Sequence, residues 1–226
     1  MNDSTNDTTR FADRVQAGEL LADVLVDAGL KDPIVLGLAR GGVVVGGPIA
    51  QRLGVPLEVF VARKLGAPNQ PELAVGALAE GVSPHGEVVN VERAAVDAVG
   101  ATKKVIDLRI HEEHEELVRR QNIYRGGRKL PDTTGRDVVV VDDGIATGHT
   151  ARAACTAITA TRPSRLLLAV PVSPRSALQQ FSDVEVVALR RPHPFHAVGQ
   201  WFESFDPVSD AEILELLDSF QRTASE

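Results

Sequence analysis

Four consecutive valines, Val138 to Val141, follow Asp137 and run without interruption into Asp142-Asp143-Gly144. A strand with one wet face would alternate polar and apolar residues. An unbroken β-branched run reads instead as a strand buried on both faces. Both faces then need covering, and in α/β folds helices supply the cover. The rest of the chain fits that demand. Short apolar runs at Ile34 to Leu38, Leu57 to Ala62, Arg165 to Val170 and Val184 to Leu189 alternate with helical patterns. Helical spacing links Phe11, Val15, Leu21, Val24, Leu25 and Ala28 ahead of Gly29, and small residues fill Thr150 to Ala160. The prediction is an α/β protein: an open, mainly parallel twisted sheet with helices on both faces, plus a small lobe.

The remaining segments divide as follows. Residues 1–10 are rich in Asn, Asp, Ser and Thr and are expected to form a disordered tail. Residues 11–226 form one domain, with its core over 34–189, a highly charged helix over 93–124 and a C-terminal hood over 190–226. Arg63 to Glu80 contains Gly66, Pro68, Pro71 and Gly76 and matches no period, so it is expected to be a long mobile loop. Ser209 and Glu212 have capping-box spacing and predict a C-terminal helix.

Composition narrows the function. With 24 basic against 31 acidic residues the net charge is −7, so bulk electrostatics give no support for a nucleic-acid binder, and none is expected. The single cysteine, Cys155, excludes an internal disulfide and a cysteine-based zinc cluster. No apolar run is long enough to span a bilayer, and the first residues lack a secretion signal, so a cytoplasmic protein is expected. His111-Glu-Glu-His114 has its histidines three apart instead of the zincin four, and reads as a solvated helix face.

In an open parallel sheet ligands bind beyond the carboxyl ends of the strands. Asp142 and Asp143 stand at such an end. Neighbouring carboxylates are costly to hold together unless they meet hydroxyls, a cation or water. Gly144, Thr147, Gly148 and Thr150 then supply backbone N–H groups, two hydroxyls and a helix N-terminus, a combination suited to a phosphate dianion. One side of the turn thus suits a diol or magnesium and the other a phosphate, the two ends of a ribose 5-phosphate. His149 stands where a Walker A loop needs lysine, and the dinucleotide-binding glycine spacing is absent. A second strand tip, Ala39-Arg40-Gly41-Gly42, offers a planar guanidinium beside a glycine turn. A third, Arg63-Lys64, opens the predicted loop.

The string Val138-Val-Val-Val-Asp142-Asp143-Gly-Ile-Ala-Thr-Gly-His-Thr150 resembles the phosphoribosyl-pyrophosphate motif of the type I phosphoribosyltransferases. The resemblance implies that Asp142 and Asp143 hold the ribose hydroxyls and, with Glu203, magnesium. It places the 5-phosphate on Gly144, Ile145, Ala146, Thr147, Gly148, His149 and Thr150. Ala39, Arg40, Gly41 and Gly42 are similar to the family's pyrophosphate loop, which often contains a non-proline cis peptide. Arg63 and Lys64 are similar to the start of its lid. Phe195 and Trp201 lie in a segment similar to the base-stacking region, with one extra residue before Gly199. Ala146 replaces the aspartate of hypoxanthine and guanine enzymes, which argues against 6-oxopurine acceptors. The implied activity is transfer of the 5-phosphoribosyl group from phosphoribosyl pyrophosphate to a base with release of pyrophosphate. Arg40, Lys64, Asp142 and Asp143 would carry catalysis with Mg2+, and a homodimer is left open. A non-catalytic phosphoribosyl-pyrophosphate-binding regulator is the alternative. A phosphohydrolase fits less well, because haloacid-type enzymes want Asp-x-Asp.

Overall fold

The computed structural model describes residues 9–82 and 85–223. Most of the predicted tail, residues 1–8, lies outside that range.

Five parallel strands make the main sheet: β1 (Ile34–Leu38), β2 (Leu57–Phe60), β6 (Asp137–Val141), β7 (Arg165–Val172) and β8 (Glu185–Arg190), in the order β2-β1-β6-β7-β8. The valine run is its centre, and Val138 to Val141 are all fully buried. Its alternate residues serve opposite faces. Val139 and Val141 pack with Leu21 and Leu25 of α1 (Arg14–Val26), with Val45 and Ile49 of α2 (Gly41–Leu53), and with Ile213 and Leu217 of α7 (Asp210–Thr223). Val138 and Val140 pack with Ala151, Ala154, Cys155 and Ile158 of α5 (His149–Thr159). Helices therefore cover both faces, as predicted. The capping box also forms: the Ser209 N–H donates to Glu212 Oε2 at 2.7 Å, and the Glu212 N–H donates to Ser209 Oγ at 3.2 Å.

Three expectations need correction. The segment 63–80 is not a loop. It forms most of β3 (Ala62–Ala67) and β4 (Gln70–Ala79), which pair antiparallel and continue to β5 (Val88–Val91) as a second sheet, β3-β4-β5. Its punctuating residues shape this hairpin. Register shifts fall on either side of Gly66, where an added Cβ would meet the Pro71 carbonyl oxygen at 2.6 Å. At Gly76 the Asn90 carbonyl oxygen would stand 2.2 Å away, and Asn69 turns the chain with a positive φ of 64°.

The charged helix is two helices, α3 (Arg93–Ala98) and α4 (Lys103–Arg125), separated at Gly100 with φ 64°. Ile106, Leu117 and Tyr124 form the buried stripe of α4.

The first helix begins at Arg14, after Asp13 caps it by accepting the Gln16 N–H, so Phe11 lies outside it. Val15 and Val24, assigned to its apolar stripe, are 46% and 47% exposed. Phe11 instead joins the hood. Its N–H donates to the Trp201 carbonyl at 2.8 Å, and its own carbonyl accepts the Glu203 N–H at 2.8 Å. The Phe11 and Phe202 rings stand 5.3 Å apart, with Arg190 3.8 Å from the centre of the Phe11 ring. The hood thus draws on both ends of the described chain. No helix of the described residues is long and apolar enough to cross a membrane.

Candidate active site

Strands β1 and β6 are neighbours, with Gly37 level with Val141, so their carboxyl ends open side by side. The Ala39–Arg40 peptide after β1 is cis, a feature the family resemblance allows for. Gly41 and Gly42 then press on the turn after β6. A Cβ on Gly42 would stand 2.2 Å from the Val141 carbonyl oxygen, and one on Gly41 would stand 1.9 Å from Asp143 Oδ2. These glycines let the two loops touch each other, a stricter demand than an approach to a ligand. Arg40 is half-exposed and faces Asp210, with Nη1 3.8 Å from Oδ1.

The acid pair sits at the tip of β6. Asp142 Oδ1 accepts the Asp143 N–H at 2.9 Å. Asp143 Oδ2 accepts from Arg14 Nε at 2.8 Å. Burial, joined by the charge of Asp143, pushes the Asp142 carboxyl well above the ordinary carboxylate range. Burial also raises Asp143, while Arg14 pulls it back down. One guanidinium thus answers Asp143 and leaves Asp142 without an ionic partner among the described residues.

The following turn is braced from outside. Gly144 has φ 157°, and a Cβ there would meet Val198 of the hood at 2.5 Å. The Ile145 N–H donates to the Val172 carbonyl at 2.9 Å, fixing the turn to the neighbouring strand. Ala146 and Thr147 are exposed, and Thr150 is half-buried. Gly148 has φ 86°, and its open side faces Gln180, whose Nε2 donates to the Thr147 carbonyl at 2.7 Å. His149 begins α5 and bridges Thr147 Oγ1 at 2.9 Å and Glu92 Oε2 at 2.6 Å. The result is a turn, exposed at Ala146 and Thr147, over the N-terminus of an 11-residue helix, a geometry suited to an anion.

Other predicted site residues fall elsewhere. Arg63 turns onto α4, with Nη2 2.7 Å from Glu113 Oε2. Lys64 lies half-buried on β3. Phe195 and Trp201 pack in the hood against Phe11, Val172 and Phe202, where apolar surface holds them. Glu203 is exposed and does not complete a carboxylate trio: among the described residues no group of three or more His, Cys, Asp or Glu is placed to hold a metal. Its backbone N–H is committed to the Phe11 carbonyl. His111 and His114 pair with Glu115 and Glu87 on the exposed face of α4, as the sequence suggested.

Four residues that the structure adds are not singled out by the sequence: Arg14, Tyr124, Gln180 and Asp210. Tyr124 Oη donates to Asp210 Oδ1 at 2.5 Å, and Arg119 Nη1 lies 3.7 Å from Asp210 Oδ2. None carries a local signal, because each partner comes from a distant part of the chain.

Comparison with known proteins agrees with this architecture. A Mycobacterium tuberculosis protein named "Putative phosphoribosyl transferase", found in two strains, is 43% identical over 223 residues, 96% of this chain and 48% of its own length. The chain thus spans about half the length of the curated relatives it matches. The crystal structure of TT1426 from Thermus thermophilus superposes with a TM-score of 0.76 at 39% identity, covering 94% of this chain and 99% of that one. The model of the phosphoribosyl transferase domain matches residues 7–197, taking in the acid pair, the glycine turn and the cis-peptide loop. With its five-stranded parallel sheet and both loops in place, the chain belongs to the type I phosphoribosyltransferase family.

Proposed function

We propose that this protein transfers the 5-phosphoribosyl group from phosphoribosyl pyrophosphate to a nitrogenous base, releasing pyrophosphate. The observation that supports this best is the meeting of two loops: Gly41 abuts Asp143 while Arg40 stands at the rim beside them. A sugar whose hydroxyls face Asp142 and Asp143 would then have its 5-phosphate over the turn 144–150. Its pyrophosphate would lie toward Ala39, Arg40, Gly41 and Gly42. The transition state gathers positive charge on the sugar and negative charge on the leaving group. Pre-placed carboxylates and a guanidinium favour both without reorganising.

The residues fit magnesium in one particular way. Two adjacent, partly neutralised carboxylates, with no third protein ligand among the described residues, suit an ion that completes its shell from substrate oxygens. Asp142 and Asp143 would hold it. When bound it supplies charge neutralisation to the leaving pyrophosphate.

The lid role stays with Lys64 on the β3–β4 hairpin; Arg63, paired with Glu113, serves the hairpin's seat on α4. The hood aromatics Phe195 and Trp201 would border the base. Ala146, exposed at the turn, offers no acceptor for a 6-oxopurine, so an adenine-like base is the favoured class.

The test pairs calorimetry with isotope exchange. Asp142→Asn should weaken binding of magnesium–phosphoribosyl pyrophosphate by about ten- to hundred-fold, the loss of one charged hydrogen bond. Wild-type protein should exchange labelled pyrophosphate into phosphoribosyl pyrophosphate when its base-derived nucleotide is present. Tight binding with no exchange across a panel of bases would identify a regulator instead.

A further inference from the structure

Arg14 opens α1, and its guanidinium is held from three sides. Nε donates to Asp143 Oδ2 at 2.8 Å, Nη1 donates to the Asp206 carbonyl at 2.9 Å, and its central carbon lies 3.8 Å from the centre of the Phe205 ring. Gly41 closes on the pair, since a Cβ there would stand 3.0 Å from Arg14 Nε. The two side chains are only 11% and 18% exposed. Surface ion pairs wander and contribute little. This one is clamped by a ring, a carbonyl and a neighbouring backbone.

Asp142 is treated differently. Its Oδ1 accepts one backbone N–H, and among the described residues it makes no ion pair. Two vicinal carboxylates in a cleft would ordinarily be a ready ligand pair for a divalent cation. Here a locked monocation already sits on one of them. A free magnesium ion reaching for both carboxylates must therefore dislodge the clamped guanidinium or share Asp143 with it through Oδ1, against the repulsion of a fixed cation; otherwise it makes do with one carboxylate. Magnesium gives up its waters reluctantly, so a single carboxylate holds it poorly.

We propose that Arg14 is a positioning residue standing in for a metal at Asp143: it fixes that carboxylate and withholds the acid pair from free magnesium, so that the ion enters only together with the oxygens of a phosphorylated sugar. This rests on the sugar-phosphate reading of the site given above. A residue that merely pinned the hood would affect stability and leave magnesium affinity where it was.

The experiment titrates the full chain by calorimetry, first with magnesium alone and then with ribose 5-phosphate in the presence of magnesium. Arg14→Met should bind magnesium alone roughly ten-fold or more tighter than wild type, as the second carboxylate becomes available. Arg14→Lys, which keeps a cation, should stay near wild type. Arg14→Met combined with Asp143→Asn should lose the gain. If Arg14→Met does not fold, Arg14→Gln, which can still reach the Asp206 carbonyl, should show the same tightening. Unchanged or weaker magnesium binding in a folded, uncharged variant overturns the proposal while leaving the site reading intact. Wild-type protein that fails to bind ribose 5-phosphate overturns both.

Discussion

Arg40 Nη1 lies 3.8 Å from Asp210 Oδ1, which ties the loop after the first strand to the first turn of the last helix. The same carboxylate accepts from Tyr124 Oη at 2.5 Å and faces Arg119 at 3.7 Å. Burial and the bond to Asp210 push the Tyr124 phenol up to about 12, so it remains a donor at neutral pH. Asp210 therefore sits between two guanidiniums, where an oxygen of pyrophosphate could also sit.

Pyrophosphate and Asp210 should compete for Arg40. Asp210→Asn keeps the shape and the bond from Tyr124 but removes the charge. Its pyrophosphate affinity should rise severalfold, in line with the roughly 0.2–1 kcal/mol typical of a partly exposed ion pair. Calorimetry with magnesium pyrophosphate reads this directly. Equal or weaker binding would show that the carboxylate does not compete.

The buried pair Arg125–Glu80 should dominate the stability of the second sheet. Their side chains are 5% and 1% exposed, and Arg125 Nη1 also donates to the Val59 carbonyl at 2.9 Å. Glu80 in turn accepts the Val61 N–H at 2.6 Å. Arg125→Met leaves an uncompensated buried carboxylate, at a cost of about 3–5 kcal/mol. Urea unfolding should show that loss, and a change below about 1 kcal/mol would mean that Glu80 finds another partner.

Glu58 offers a pH test. Burial raises its carboxyl pKa, opposed by Arg128 and Arg125, and its Oε2 has no hydrogen-bond partner. A raised folded-state value means the folded form holds the proton longer than the unfolded chain. Stability from this group is complete at low pH and falls as pH climbs through and above the ordinary carboxylate range. Glu58→Gln should therefore match wild type in acid and exceed it at neutral pH. Denaturation midpoints across that window, converging upward instead of downward in pH, would contradict the assignment.

Cys155 should be inert in the folded protein. It is fully buried on α5, and burial pushes its thiol up to about 12, far from a reactive thiolate. A thiol reagent at neutral pH should label it only as fast as the chain opens, and quickly in denaturant. Rapid labelling under native conditions would show an opening of α5 from the sheet.

The parts of this molecule that are legible in the sequence are those whose partners lie close along the chain. Val138 to Val141 announce the central strand, and Asp142 to Thr150 announce the turn, because strand, acid pair and glycines are contiguous. The capping box needs only four residues. The hairpin is hidden because Gly66, Pro68 and Pro71 look like loop punctuation. The unbroken apolar run Ala74 to Ala79, buried throughout, is the signal to weigh against them. Arg14 cannot be found locally: its carboxylate lies 129 residues away. Phe195 and Trp201 are legible as hood residues, but their burial among other rings depends on Phe11, from the opposite end of the chain.

The bridge between Phe11 and Phe202 also sets an order of events during synthesis. Strands β1 and β6 and the helices between them can associate as soon as the valine run has left the ribosome. The clasp over the site must wait until Phe202 has emerged, because Phe11 precedes the first strand of the sheet and Phe202 follows the last. Long-range closure of this kind carries a loop-entropy cost that only the finished aromatic cluster repays. A nascent chain therefore has the centre of its sheet before its roof, and competence to hold a ligand should arrive in the step that joins Phe11 to Phe202.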